Sequence, residues 1–566
     1  MYLARAAYVA VLLVLMATAW QVLAGTQEVR NVGDLARFGA VVFQILAPLQ
    51  LAVVMFFAAL AAASAVAAEK DRQTLILLLL TNLSNMELVL GKLLASMLNV
   101  LVLISSALPV FMLLVLLGGV SFEQIARVFA VTVAGALAAG SLGALLAFWR
   151  EKTFQTLAMT ALALVFWLAA WEAAARGAAG EGWFGLSPQT WATAFSPWQA
   201  MLEATRPAIE VDPALGPIGN SVNLFLLVAV GMTCGLNLIS ILMVRVWNPS
   251  REMRRDPESS EEKPAEAAGL ARQPGKTREV WDNPIIWREM RTWAYGRKIL
   301  AVRLAYGILT VLAFAALYGV VHQPGAIARN DLAVVLAPFG VLSLVLLNAQ
   351  AVTSLTSERD AKAIDLLLVT DLTPGEVIYG KLGGVFYNTK EMWLLPMARC
   401  FYLWWSKAIG LEDLSYLLGG WLALCAFAAM LGIHSGMNYA SSRGAIAVSL
   451  GTVFFLFVGV AVCMRIMVAF SGSFQVQLQP FLAFMVGGGI GLYVALGIRN
   501  PSPAIQAAAF GCPFAIFYAI TSLLLGYTLA VFLVVAFTFG FTTAAMLIPA
   551  LFEFDVATGR TTGGEE

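Results

Sequence analysis

Charge is what this chain has least of. Asp, Glu, Lys and Arg make up 12% of its 566 residues, about half the ~25% of an ordinary soluble domain. By contrast 60% of the residues are hydrophobic, and mean hydropathy is +0.81. That balance excludes a soluble globular protein. Histidine is nearly absent, with only His322 and His434, so zinc chemistry and imidazole acid–base work are poorly supplied. The five cysteines (Cys234, Cys400, Cys425, Cys463, Cys512) lie scattered in apolar segments without a C-x-x-C pair, which supports neither a disulfide framework nor a metal site. A net charge of +1 offers no basic excess for nucleic acid. The nearest thing to a nucleotide site is Pro274-Gly275-Lys276-Thr277. There, the leading glycine of a phosphate-binding loop would fall at Leu270, and no strand precedes it. The chain is therefore expected to bind no cofactor and to catalyse no reaction itself.

What is present is apolar length. A helix needs ~20 apolar residues to cross a bilayer, and such stretches occur at 6–24, 39–66, 90–118, 125–148, 154–175 and 221–246. They recur at 299–321, 332–356, 385–408, 415–437, 445–470 and 527–552. Twelve crossings are the expectation for this all-α polytopic membrane protein, and two extra apolar stretches, 480–498 and 509–525, would raise the count to fourteen. The start could be misread as a signal peptide ending near Val22-Leu23-Ala24. Against that, Arg5-Ala-Ala-Tyr8 is matched by Arg303-Leu-Ala-Tyr306, which opens a later span.

Two polar patches interrupt the apolar pattern and repeat each other. Residues 69–93 (EKDRQTLILLLLTNLSNMELVLGKL) and 358–382 (ERDAKAIDLLLVTDLTPGEVIYGKL) lie 289 residues apart and share 11 of 25 positions without a gap. The shared positions include Glu69/Glu358, Asp71/Asp360, Thr81/Thr370, Glu87/Glu376, Gly91/Gly380 and Lys92/Lys381. The run Leu75–Leu80 is too short to cross, and Ser84-x-x-Glu87 after it spells a capping box. The second copy keeps that box as Thr373-Pro374-x-Glu376, with Pro where its missing N–H costs nothing. Each patch thus reads as a short surface helix, a break, and a fresh helix entering the membrane, with Lys92 and Lys381 snorkelling to the headgroups. If the patches are cytoplasmic, so are both termini, and the inward segments hold 24 of the 35 basic residues, as the positive-inside rule requires.

A repeat on that scale implies two membrane modules, 1–247 and 284–566, related as parallel copies of about six spans each. Between them, 248–283 is rich in charge, Pro and Ala and reads as a disordered cytoplasmic linker. Residues 284–298 (PIIWREMRTWAYGRK) alternate aromatic and apolar residues with Arg and Glu, the pattern of an interfacial amphipathic helix. Residues 176–220 carry Trp183, Trp191 and Trp198 with five prolines and are expected at the outer interface.

The repeated patch resembles the cytoplasmic loop of ABC-2 type permeases, the membrane subunits of bacterial ATP-binding cassette transporters. Asn283-Pro284-x-x-Trp287-Arg288-Glu289 resembles that family's amphipathic elbow helix, and the chain as a whole looks like a fused pair of permease halves. The resemblance implies a permease of the bacterial inner membrane, more an exporter than an importer, energised by ATP and Mg2+ on two copies of a separate ATP-binding subunit. The docking loops would then comprise Glu69, Asp71, Arg72, Thr81, Glu87, Gly91 and Lys92, with Glu358, Arg359, Asp360, Thr370, Glu376, Gly380 and Lys381, the four paired acids carrying the contact. A solvated loop is the alternative, although the positive-inside rule explains the lysines and not these acids. The chain departs from the family pattern in two places: an elbow before the first half is missing, and the span at 385–408 carries Asn388, Lys390, Glu391 and Arg399 where the first copy is apolar.

Charges at mid-membrane cost ~2.5–3.5 kcal/mol on insertion scales. Lys390 and Glu391 therefore either lie near the cytoplasmic end or line a substrate path, and Glu172, Arg465 and His434 pose the same choice. A secondary, ion-coupled transporter using such charges is the competing function, and the cargo is not written in the sequence.

Overall fold

The structure is a computed structural model. It describes residues 2–26, 31–175, 186–208, 213–248, 281–291, 299–322, 329–364, 370–469, 474–497 and 501–552. Among them the architecture is helical throughout, because a backbone surrounded by lipid must satisfy its own N–H and C=O groups. The first half contains α1 (Tyr2–Thr26), α2 (Val32–Asp71), α3 (Thr74–Leu80), α4 (Asn85–Leu117), α5 (Phe122–Trp149), α6 (Thr153–Ala173), α7 (Pro188–Phe195), α8 (Pro197–Ala204) and α9 (Ser221–Trp247). The second contains α10 (Pro284–Arg291), α11 (Ile299–Val321), α12 (Arg329–Asp360), α13 (Pro374–Asn388), α14 (Lys390–Trp405), α15 (Leu411–Asn438) and α16 (Ser442–Phe454). A π turn (Phe455–Gly459) then leads into α17 (Val460–Ala469), followed by α18 (Phe474–Leu496), α19 (Pro503–Leu525) and α20 (Thr528–Phe552).

Among the described residues eleven helices are long and apolar enough to cross a membrane, so the chain is an all-α polytopic membrane protein. Two expectations are refined. The apolar stretches near 480–498 and 509–525 are helices α18 and α19, packed together and against α1 and α20 respectively. The span expected at 385–408 is two helices that meet at Thr389, with φ −109° and ψ 22°. Nearly all of the linker, 249–280, and the elbow beyond Arg291, including Trp293 and Tyr295, lie outside the described residues, as does the second patch at 365–369.

The two halves pack by the same contacts. Helix α2 lies on α5 where a Cβ at Gly143 would come within 2.6 Å of the Ala59 carbonyl oxygen. Helix α12 lies on α15 where a Cβ at Gly432 would come within 2.8 Å of the Asn348 oxygen. Both glycine–carbonyl pairs are 289 residues apart, and only a residue without a side chain allows such close crossings. Between the halves, α6 packs on α12 while α16 packs on α2, a reciprocal exchange with Phe56 stacked on Phe454 at 5.2 Å.

Candidate coupling patches

The first patch is built where α2 ends. Ser84 caps α4 as expected: its hydroxyl accepts from the Glu87 amide at 3.2 Å, and Glu87 accepts from the Ser84 amide at 2.8 Å. Thr373 and Glu376 repeat the box at 3.3 and 2.8 Å. The hydrogen bonds of Glu376 to the Thr373 backbone and hydroxyl hold its carboxyl below the ordinary glutamate range.

The acids of the motif point inward. Glu69 accepts from Lys92 at 2.7 Å and from the Thr74 hydroxyl. Glu358 accepts from Lys381 at 2.7 Å. Asp71 accepts from Thr153, the first residue of α6. Asp360 pairs with Arg72 at 3.2 Å, joining the two patches directly. The basic residue between each pair of acids closes a helix end. Lys70 donates to the carbonyls of Phe148 and Arg150 at 2.6 and 2.8 Å, and Arg359 donates to those of Gly436 and Tyr439 at 2.9 and 2.6 Å. Cations are favoured there because a helix C-terminus carries partial negative charge. Glu69, Asp71, Glu358 and Asp360 therefore hold the helices of the repeated motif together, and their carboxylates do not form an outward acidic face.

What faces outward is mainly apolar and uncharged-polar, with Arg72 and Glu87 among the charged exceptions. On α3 and the turn after it, Leu77 and Leu80 are 64% and 62% exposed, with Leu83 and Met86 beside them. Thr81, Glu87, Gly91, Thr370 and Arg72 are also exposed. Arg245 fixes this turn from α9, donating to the Leu79 and Leu83 carbonyls at 3.2 and 3.1 Å and to Asn85 at 2.7 Å.

The second patch carries an extra layer. Asn283 caps α10, accepting from the Ile286 amide at 3.0 Å and donating to the Glu376 carbonyl at 2.9 Å. Pro284 takes the first helical position, and Trp287 and Arg288 are half-buried. Ile285 and Glu289 face α13, where Gly380 and Gly384 leave room for them. Lys381 is only 2% exposed and donates to Glu289 and Glu358, each at 2.7 Å. Arg288 pairs with both acids, so two negative and two positive charges balance. Burial pushes the Glu289 carboxyl up, but the Lys381 and Arg288 charges outweigh it and hold Glu289 below its ordinary range. Lys381 does not snorkel: a buried ammonium needs paired carboxylates, and α10 supplies one. Sequence reading placed Glu289 in the elbow without seeing this partner, and the Lys70 cap was also missed, although its alternation with Arg359 between two repeated acids was the available signal.

Most of the intramembrane charges meet a partner side chain, ring or carbonyl, and among the described residues Arg465 is the exception of those raised by the sequence. Glu391 reaches Arg303 of α11 at 3.4 Å, and Lys390 lies over the Tyr387 ring at 5.1 Å. Glu172 accepts from Gln199 at 2.6 Å, and His434 is buried against the Leu496 carbonyl at 2.8 Å. Arg399, 1% exposed, sits over Phe339 at 5.3 Å.

Residues 34–174, from the start of α2 to the end of α6, match the family described as ABC-2 family transporter protein. No curated protein matches the chain. The matched segment contains the whole first patch with its capping box, its Glu69–Lys92 pair and its outward leucines; this part of a multi-pass membrane chain is similar to the ABC-2 transporter membrane family.

Proposed function

We propose that the chain is the membrane subunit of an ATP-driven exporter in a bacterial inner membrane, with both termini cytoplasmic. It carries two copies of one permease module in a single chain. Two copies of a separate ATP-binding subunit dock on the two patches and supply all ATP and Mg2+ chemistry. The observation that carries this reading is the set of contacts spaced 289 residues apart, which ends on one face of the bundle at two patches tied by Arg72 and Asp360.

The docking surface on the first patch is the exposed row Leu77, Leu80, Leu83 and Met86, since exposed apolar clusters mark partner sites. The acids behind it transmit force: Glu69 and Lys92 link α2 to α4, and Asp71 links α2 to α6. Closure of the partner ATPases would pull both patches and bias the bundle between two states, which a partner does only through differential contact. Purification of the tagged full chain followed by mass spectrometry and an ATPase assay tests this. An ATP-binding subunit at two per chain is expected, with stimulation lost in Leu80→Asp while the fold persists. Transport by the chain alone, without any ATPase, would replace this reading with a secondary transporter. Accumulation of cargo inside inverted vesicles on adding ATP is the expected sign of export.

A further inference from the structure

Between the halves lies a cavity of about 510 Å³, lined by α2, α8, the π turn and α17. That volume is in the range of small-molecule sites, ~300–1,000 Å³. Its wall is apolar along most of its length, and two helical irregularities border it: Pro48 within α2 and Val458 within the π turn. Such turns occur often at functional sites.

The polar residues gather at one end. Arg206, Thr205 and Arg465 lie at the end remote from the patches, with Gln44 farther along α2, and no acidic residue lines the cavity among the described residues. Arg465 follows Val458 by seven residues, about 10 Å of helix. Arg206 is paired with Glu203 at 3.0 Å, so its charge is met locally. Arg465 is exposed and has no hydrogen bond or ion pair among the described residues. Among the described residues the mouth therefore holds one uncompensated positive charge above an apolar shaft.

We infer that this cavity binds an amphiphile with a single anionic head group and an apolar tail, the head at Arg465 and the tail directed past Val462 and Val458 toward Pro48. This names the cargo class of the permease proposed above and rests on that reading only for the word cargo, because the binding itself requires no ATP and no partner. A soluble single-chain acid and an acidic phospholipid of the bilayer share this chemistry.

The test uses the full chain in nanodiscs of neutral phosphatidylcholine, titrated with 11-(dansylamino)undecanoic acid and, separately, its methyl ester. Saturable binding of the acid is expected, with the ester about tenfold weaker. Arg465→Gln should lower the acid to the level of the ester, and Val462→Trp, which fills the shaft, should abolish both. Gel filtration and thermal unfolding show that each variant is folded. Equal binding of acid and ester by the unaltered chain, or unchanged acid binding in both folded variants, overturns the inference. Displacement of the probe by phosphatidylglycerol added to the nanodisc identifies the bilayer lipid as the source, and lack of displacement identifies the soluble acid. Failure of binding while an ATPase subunit co-purifies removes the cargo class alone. Binding without any such subunit instead removes the ATP-driven reading.

Discussion

The two patches share a motif and differ in what covers them. At the first, Gly91 is exposed and a Cβ there would meet nothing within 4 Å, and Lys92 is 26% exposed with one carboxylate partner. At the second, the matching Gly380 lies against Ile285, and Lys381 is enclosed by two glutamates and an arginine. The same short sequence thus supports a half-open ion pair or a four-charge cluster centred on the buried Lys381 and Glu289, depending on whether an amphipathic helix lies across it. Local sequence sets the cap and the pair; a remote segment sets their environment. The second patch is built as the rigid member and the first as the more accessible one.

The largest expected difference comes from removing each lysine. Lys381→Met strands the buried Glu289 and the half-buried Glu358 with Arg288 alone, and breaking a buried pair costs about 3–5 kcal/mol. Lys92→Met removes a pair in contact with water, worth roughly 0.2–1 kcal/mol. Thermal unfolding in detergent should therefore separate the two variants widely. Equal losses would mean that α10 does not seal the second patch in solution.

The glycines give a matched pair of opposite sign. A Cβ at Gly380 would come 2.6 Å from the Ile285 Cβ, so Gly380→Ala should displace α10 and cost about 1–3 kcal/mol. Gly91→Ala meets open space and should stabilise α4 by roughly 0.5–1 kcal/mol, the helix-interior advantage of Ala over Gly. Protease accessibility of the segment around Trp281 should rise in the first variant only. The caps, in contrast, should behave alike: Ser84→Ala and Thr373→Ala are each expected to cost ~1 kcal/mol. A large gap between those two would place the asymmetry in the loops and not in α10.

Much of this was legible in the residues. Hydropathy marked the spans, because an apolar stretch of bilayer length has no other stable place. Ser84-x-x-Glu87 and Thr373-x-x-Glu376 announced their helix starts, because capping is a local, three-residue interaction. The destinations of the charges were not legible. Lys381 meets Glu289 across 92 residues, and nothing in either neighbourhood encodes that distance. Glu69 and Asp71 looked like an outward face because acids near a membrane are ordinarily solvated, yet Lys92 and Thr153 turn them inward. The break at Thr389 was equally hidden, since Asn388-Thr389-Lys390 interrupts an otherwise apolar run without a proline or glycine at the joint.

Acidification offers the mildest probe of the contrast. Glu289 has a folded-state pKa below its unfolded value because Lys381 and Arg288 favour its charged form over the opposing effect of burial. A depressed carboxylate contributes stability that is fully present above the unfolded glutamate range and is lost as pH falls through the lower, folded value. The seal of α10 on α13 should accordingly hold at neutral pH and loosen progressively below about pH 4, starting from the ordinary glutamate pKa near ~4.3. Hydrogen exchange of the Ile285–Glu289 amides, followed from pH 7 downward, should show that onset. In Glu289→Gln the group no longer titrates, so the dependence should flatten while exchange is faster throughout. The amides of α3 at the first patch have no α10 above them and should not follow the Glu289 profile. A common profile in both places would show that the two patches open together and that the extra helix does not set the difference between them.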